Sequence, residues 1–261
     1  MKTAGPVTGI RFAFGTLTVL PVRVSRWDRD AARAGMLWAP LAGLVVGLCA
    51  AALGGLLLTL GSGPLLAAVA STAVPAVLTR GLHLDGLADT ADGLGSGKPA
   101  EDALRIMKQS DIGPFGVITL VLVLPAQIAA LFELYGEEGW ARGAVAAALA
   151  GVVARLALTL ASRTGIPAAR PEGLGAAVAE SVPLRSVAAI TLAVLAACAG
   201  AGALFDGWTA VRHALAAVVA LAAAQLLLRH CVRRFGGVTG DVFGAVAETA
   251  GTAALVALTL G

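Results

Sequence analysis

The sequence predicts an all-α protein: a polytopic membrane bundle of about seven transmembrane helices, preceded by an N-terminal interfacial or re-entrant helix. Three observations point there. Of 261 residues, 58% are hydrophobic and 13% charged, against roughly 25% charged in an average soluble domain, and mean hydropathy is +0.86. Nearly uncharged runs recur at the length a spanning helix needs, about 17 to 25 residues. Lys and Arg fall almost entirely in alternate loops. The chain, 1–261, reads as a single integral-membrane catalytic domain.

Val7–Leu20 is marginal in length and carries Arg11, which suits a helix lying in the interface or re-entering it. Met36–Leu60 is the first span. After Gly61-Ser62-Gly63, Pro64–Thr79 is a slightly short second one. Phe115–Tyr135 is the third, followed by a polar stretch at 136–142. Gly143–Ser162 contains Arg155. Ser186–Phe205 and Ala210–Leu228 follow, and Val242–Gly261 is the last span, holding Glu248.

The basic residues orient these spans. Residues 1–35, 80–114, 163–185 and 229–241 hold 6, 4, 3 and 3 of them, and the opposite side holds only Arg142 and Arg212. The positive-inside rule places the first set in the cytoplasm. A net charge of +3 is too small to argue for a nucleic-acid partner. Cys49, Cys198 and Cys231 lie too far apart for a disulfide framework or a zinc site. Arg11, Arg23, Arg26 and Arg29 near the start argue against a cleavable signal peptide.

The most informative stretch is Leu82-His83-Leu84-Asp85-Gly86-Leu87-Ala88-Asp89-Thr90-Ala91-Asp92-Gly93. In a helix, the i, i+4 and i, i+7 spacing sets Asp85, Asp89 and Asp92 within about 60° of one another. Like charges on one stripe repel unless a cation or charged ligand offsets them. Side-chain oxygens in this pattern suit Mg²⁺, which takes one or two carboxylates plus substrate phosphates. The plainer reading is a solvated acidic face capped by Asp85. His83 points away from the stripe, which suits packing or capping.

Three other polar segments share that side. Ala100–Ser110 is expected to be a short helix. Lys108 and the glycines of Gln109-Ser110-Asp111-Ile112-Gly113-Pro114-Phe115-Gly116 suit either a phosphate at a helix start or a junction punctuated by Gly-Pro. Gly95-Ser96-Gly97-Lys98 is not a P-loop, because Pro99 stands at the Ser/Thr position. The loop 163–185 offers Arg163, Arg170 and Arg185 beside Glu172-Gly173-Leu174-Gly175. The last loop runs from Arg229, Arg233 and Arg234 through Gly236-Gly237-Val238-Thr239-Gly240-Asp241. Asp241 and Glu248 share a face of the following helix, whose Gly240 and Gly244 would permit close packing. Glu248 inside a span is a functional candidate by default. With Arg155 at a similar depth of about 10 Å, it is expected to face the bundle interior.

Together these motifs, with Ile106-Met107-Lys108 and Leu20-Pro21-Val22, make the chain similar to the cobalamin synthase family, the adenosylcobinamide-GDP ribazoletransferases of the bacterial inner membrane. It departs from the family pattern at Gln109 and Asp111, and at Gly251 where a second acid often follows. The resemblance implies that the ribose hydroxyl of α-ribazole, or of α-ribazole 5′-phosphate, displaces GMP from adenosylcobinamide-GDP. Asp85, Asp89 and Asp92 would be the catalytic acids and main Mg²⁺ ligands, with Asp241 and Glu248 closing the site. One carboxylate, Asp92 among the candidates, would take the hydroxyl proton. Lys108, Arg155, Arg163 and Arg170 would contact the diphosphate, and Ser110, Gly113, Glu172, Thr239 and Gly240 would contribute further substrate contacts. The implied location is the inner membrane, in the lipid bilayer, with the site facing the cytoplasm; homo-oligomerisation stays open. Two rivals remain: a CDP-alcohol-type phosphotransferase, whose longer D-G-x-x-A-R spacing is not met, and a cation-coupled transporter using Glu248 and Arg155.

Overall fold

The structure is a computed structural model that describes residues 4–136 and 140–260. The middle of the polar stretch at 136–142, and Gly261 at the end of the last expected span, lie outside the described residues. Those described form eleven helices and no strand: α1 Pro6–Leu17, α2 Arg29–Thr59, α3 Pro64–Leu78, α4 Leu82–Gly95, α5 Ala100–Ile106, α6 Pro114–Gly136, α7 Trp140–Ala161, α8 Leu174–Val178, α9 Leu184–Ala203, α10 Gly207–Phe235 and α11 Gly240–Thr259.

Six of these, α2, α6, α7, α9, α10 and α11, are long and apolar enough to cross a membrane. The second expected span is more complicated. α3 has 15 residues, about 22 Å of helix, and meets α4 at 87°. The break is a Schellman turn: the Gly81 amide donates to Ala76 O at 2.7 Å and the Arg80 amide to Val77 O at 3.1 Å. Arg80 (φ 53°) and Gly81 (φ 70°) are both left-handed. α4 then packs against α11 and α6, and a seventh span, beyond the six, requires α3 and α4 to be counted together as one bent pair.

Small residues bring the spans into backbone contact. A Cβ on Gly43 of α2 would stand 2.2 Å from the carbonyl oxygen of Gly151 in α7. Between α3 and α6, Ser71 Oγ lies 2.9 Å from the Tyr135 hydroxyl and donates to Ala50 O in α2. α1 rests on α2, with Phe12 fully buried over Gly35.

Several boundaries differ from expectation for local reasons. α2 starts at Arg29 because Asp28 caps it, accepting from the Asp30 and Ala31 amides. α10 runs on to Phe235, so Arg229, Arg233 and Arg234 are helical rather than in a loop. Cations are favoured in a last turn, and Gly236 (φ 79°) ends the helix. α5 is shorter than expected and stops at Ile106, leaving Lys108–Asp111 as a turn.

Candidate active site

α4 delivers the acidic motif to the end of the bundle where α6 and α11 begin. Gly86 is what permits this. A Cβ there would stand 2.7 Å from Asp241 O and 2.9 Å from Asp241 Cα, and one on Gly244 would stand 2.9 Å from His83 O. The backbones of α4 and α11 touch, which puts Asp241 beside the stripe. Gly240, the other half of that expected packing pair, meets nothing within 4 Å. On the far side of Asp241, Gly175 presses on Thr239 and Gly240, where a Cβ would stand 2.7 Å from Thr239 C.

The three stripe carboxylates do different things. Asp85 and Asp89 open onto a cavity of about 720 Å³. Asp85 and Asp241 both line a smaller, 120 Å³ cavity at its edge. Asp92 is 6% exposed and turns to the start of α6, where Oδ2 accepts from the Gly113 amide at 2.8 Å and Oδ1 from the Gly116 amide at 3.0 Å. The glycine-rich helix start that suited a phosphate therefore holds an anion of the protein's own. Gly113 and Gly116 are also the residues whose missing Cβ atoms make room for that carboxylate.

Burial, then the charges of Asp241, Asp85 and Asp92, push the Asp89 carboxyl up to about 7, with Arg170 as a weak counterweight. This hard-oxygen, cation-poor arrangement fits a divalent cation. Among the described residues no three His, Cys, Asp or Glu side chains converge as a metal-ligand group. The fit is thus to an ion held by one or two carboxylates and completed by water and phosphate, as Mg²⁺ commonly is.

A second cavity, of about 360 Å³, adjoins Asp241 and carries the basic groups Lys108 and Arg170 with Glu172, Thr239 and Gly240. Lys108 Nζ lies 2.9 Å from Glu172 Oε1, which holds that carboxyl below its ordinary range. Arg170 Nη1 stands 3.8 Å from Asp241 Oδ2, and its Nη2 donates to Leu104 O. Thr239 caps α11: its hydroxyl accepts from the Val242 amide and donates to Asp241 Oδ2 at 3.1 Å.

Other expected site residues sit elsewhere. Arg163 donates to Leu160 O at 2.6 Å, at the end of its own helix, and lines neither of the two larger cavities. Arg155 and Glu248 face the interior, as expected, but line a separate cavity with Gln127. Gln127 Nε2 donates to Glu248 Oε2 at 3.1 Å. Arg155 is 3% exposed, attracts Glu248 across that cavity, and places Nη2 3.4 Å from His83 Nδ1. Glu248 is thereby held apart from the stripe, about 10 Å deeper along α11 than Asp241. Ser110 does line the large cavity. So do Arg80, Gln109 and Asp111, which were not among the expected site residues. The signal for Arg80 was its place immediately ahead of the acidic motif.

The family model described as cobalamin-5-phosphate synthase matches residues 9–259. The chain belongs to this family. It is 42% identical to the adenosylcobinamide-GDP ribazoletransferase of Frankia casuarinae over 96% of this chain and 94% of that one. It is 41% identical to the protein of that name from Nocardioides sp. over 95% and 96%, and 38% identical to that of Bradyrhizobium diazoefficiens over 93% and 90%. No solved structure matches the chain. Asp85 and Asp89 thus line a large open cavity, and Asp241 lines a smaller one that carries Lys108 and Arg170.

Proposed function

We propose that this protein is an adenosylcobinamide-GDP ribazoletransferase, which closes the nucleotide loop of the corrinoid at the cleft between α4 and α11. The ribose hydroxyl of α-ribazole, or of its 5′-phosphate, attacks the phosphoryl group attached to the cobinamide. A new ribose–oxygen–phosphorus bond forms, the bond to GMP breaks, and GMP leaves with the electron pair. The single observation that carries this reading is that Asp85 lines both the large cavity beside Asp89 and a smaller one beside Asp241, which in turn lines a cavity with Lys108 and Arg170.

Asp89 opens onto the large cavity beside Asp85, where it is placed to accept the hydroxyl proton. Asp85 and Asp241 are placed to hold Mg²⁺. When bound, the ion offsets charge on the phosphoryl oxygens. Lys108 and Arg170 offer the cationic contacts that position a diphosphate and stabilise its developing charge. Asp92 acts through structure, by fixing α6 against α4. Arg155 and Glu248 support the bundle below the site rather than touching substrate.

The excess of basic residues at this end supports a cytoplasmic-facing site in a bacterial inner membrane. The open cavity there accords with a corrinoid too bulky to be enclosed. A coupled transporter would use Arg155 and Glu248 and leave the exposed acids without a task. Proteoliposomes given adenosylcobinamide-GDP and α-ribazole 5′-phosphate with Mg²⁺ should release GMP and form a nucleotide-looped corrinoid, read by chromatography. Absence of both products from folded protein would exclude the reaction.

A further inference from the structure

We infer that Arg80 is the side chain that recognises the 5′-phosphate when the acceptor is α-ribazole 5′-phosphate. This deepens the functional reading above and rests on it.

Arg80 occupies the residue after the α3 cap, the position in a Schellman turn where glycine is favoured because the backbone is left-handed. Its φ is 53°, and only one other non-glycine residue among those described, Glu180, has a positive φ. A side chain with a Cβ is disfavoured there, and Gly81 stands next to it. The position therefore keeps a cation at some conformational disadvantage. Its surroundings supply a reason. Among the described residues lining the 720 Å³ cavity, Arg80 is the only Lys or Arg, whereas Asp85, Asp89 and Asp111 contribute carboxylates. A phosphate entering that cavity has one cationic side chain to meet, and Ser110 and Gln109 line the same cavity as neutral donors.

The chemistry assigns the two anions. In an in-line transfer the attacking hydroxyl and the leaving group stand on opposite sides of phosphorus. The two basic positions line different cavities, one beside Asp85 and Asp89 and the other beside Asp241. Lys108 and Arg170 lie together in the smaller cavity beyond Asp241, a pair suited to the diphosphate of the donor. Arg80 is the only Lys or Arg among the described residues lining the larger cavity, which suits one phosphate carried by the acceptor.

The test compares wild type, Arg80→Gly and Arg80→Lys in proteoliposomes with adenosylcobinamide-GDP and either α-ribazole 5′-phosphate or α-ribazole. The readouts are kcat/KM for each acceptor, KM for the donor, and the melting temperature in detergent. Wild type should favour the phosphorylated acceptor. In Arg80→Gly that preference should fall about tenfold or more, the loss of one charge-assisted hydrogen bond. The fall should appear in acceptor KM, while the melting temperature holds or rises as glycine relieves the turn. Arg80→Lys should keep part of the preference. A wild type indifferent to the 5′-phosphate, an equal loss with both acceptors, a rise confined to donor KM, or a lowered melting temperature in Arg80→Gly would each overturn the proposal. Failure of wild type to use either acceptor would instead overturn the functional reading.

Discussion

Gly86 of α4 lies against Asp241 of α11 so closely that a Cβ would stand 2.7 Å from the Asp241 carbonyl oxygen and 2.9 Å from its Cα. Both neighbours are backbone, so neither can rotate away. Gly86→Ala should therefore push α4 off α11 and separate Asp85 from Asp241. We expect a loss of about 1–3 kcal/mol in stability. Turnover should fall by about 100-fold, as for a reacting group misplaced by about 1 Å. Thermal melting in detergent and GMP release check this; wild-type values for both would show that the two helices tolerate separation.

Asp92 should separate from its stripe neighbours by its effect on stability. Asp92→Ala leaves the Gly113 and Gly116 amides without their carboxylate acceptor, at a cost of about 1–3 kcal/mol for an unsatisfied buried donor. Asp92→Asn keeps one acceptor oxygen and should lose less. Melting temperatures should rank wild type, Asp92→Asn, Asp92→Ala. The reverse ranking, or no change, would return Asp92 to the list of groups that act on substrate.

Much of this was legible in the sequence because membranes impose long, uncharged runs and because i, i+4 spacing fixes which carboxylates share a face. The positions of α2, α6, α7, α9 and α11, and the pairing of Asp85 with Asp89, follow from those two rules. What escaped depends on tertiary neighbours. Nothing local distinguishes Asp92, which turns to α6, from Asp89, which faces a cavity. Arg163 reads as an anion contact until its guanidinium is seen on the Leu160 carbonyl. The end of the second span at Thr79 was legible, but the Schellman turn there was not, because Arg80 fills the position where glycine is favoured.

Arg155 and Glu248 attract each other across an interior cavity, so removing either should strand the other's charge. Arg155→Ala should destabilise by about 3–5 kcal/mol. Arg155→Met combined with Glu248→Gln should recover most of that loss, because no lone charge remains. A double-mutant cycle on melting free energies measures the coupling. Additive effects would show that the two groups do not act as a pair.

The basic end should face the cytoplasm. In a background with Cys49, Cys198 and Cys231 replaced by serine or alanine, Lys98→Cys sits at an exposed position between α4 and α5. An impermeant maleimide should label it only after cells are opened. Labelling in intact cells would invert the topology.

The central claim is that phosphoryl transfer takes place at the carboxylates that α4 and α11 bring together, and the most direct measurement is the single-turnover rate of GMP release from proteoliposomes across a Mg²⁺ titration. Wild type should be silent in chelator and recover fully with Mg²⁺. Asp85→Asn and Asp89→Asn should each be slower by at least about 100-fold at saturating Mg²⁺. Both should melt no lower than wild type, since each removes one of several mutually repelling charges. Full turnover in chelator, or wild-type rates from both variants, would contradict the account.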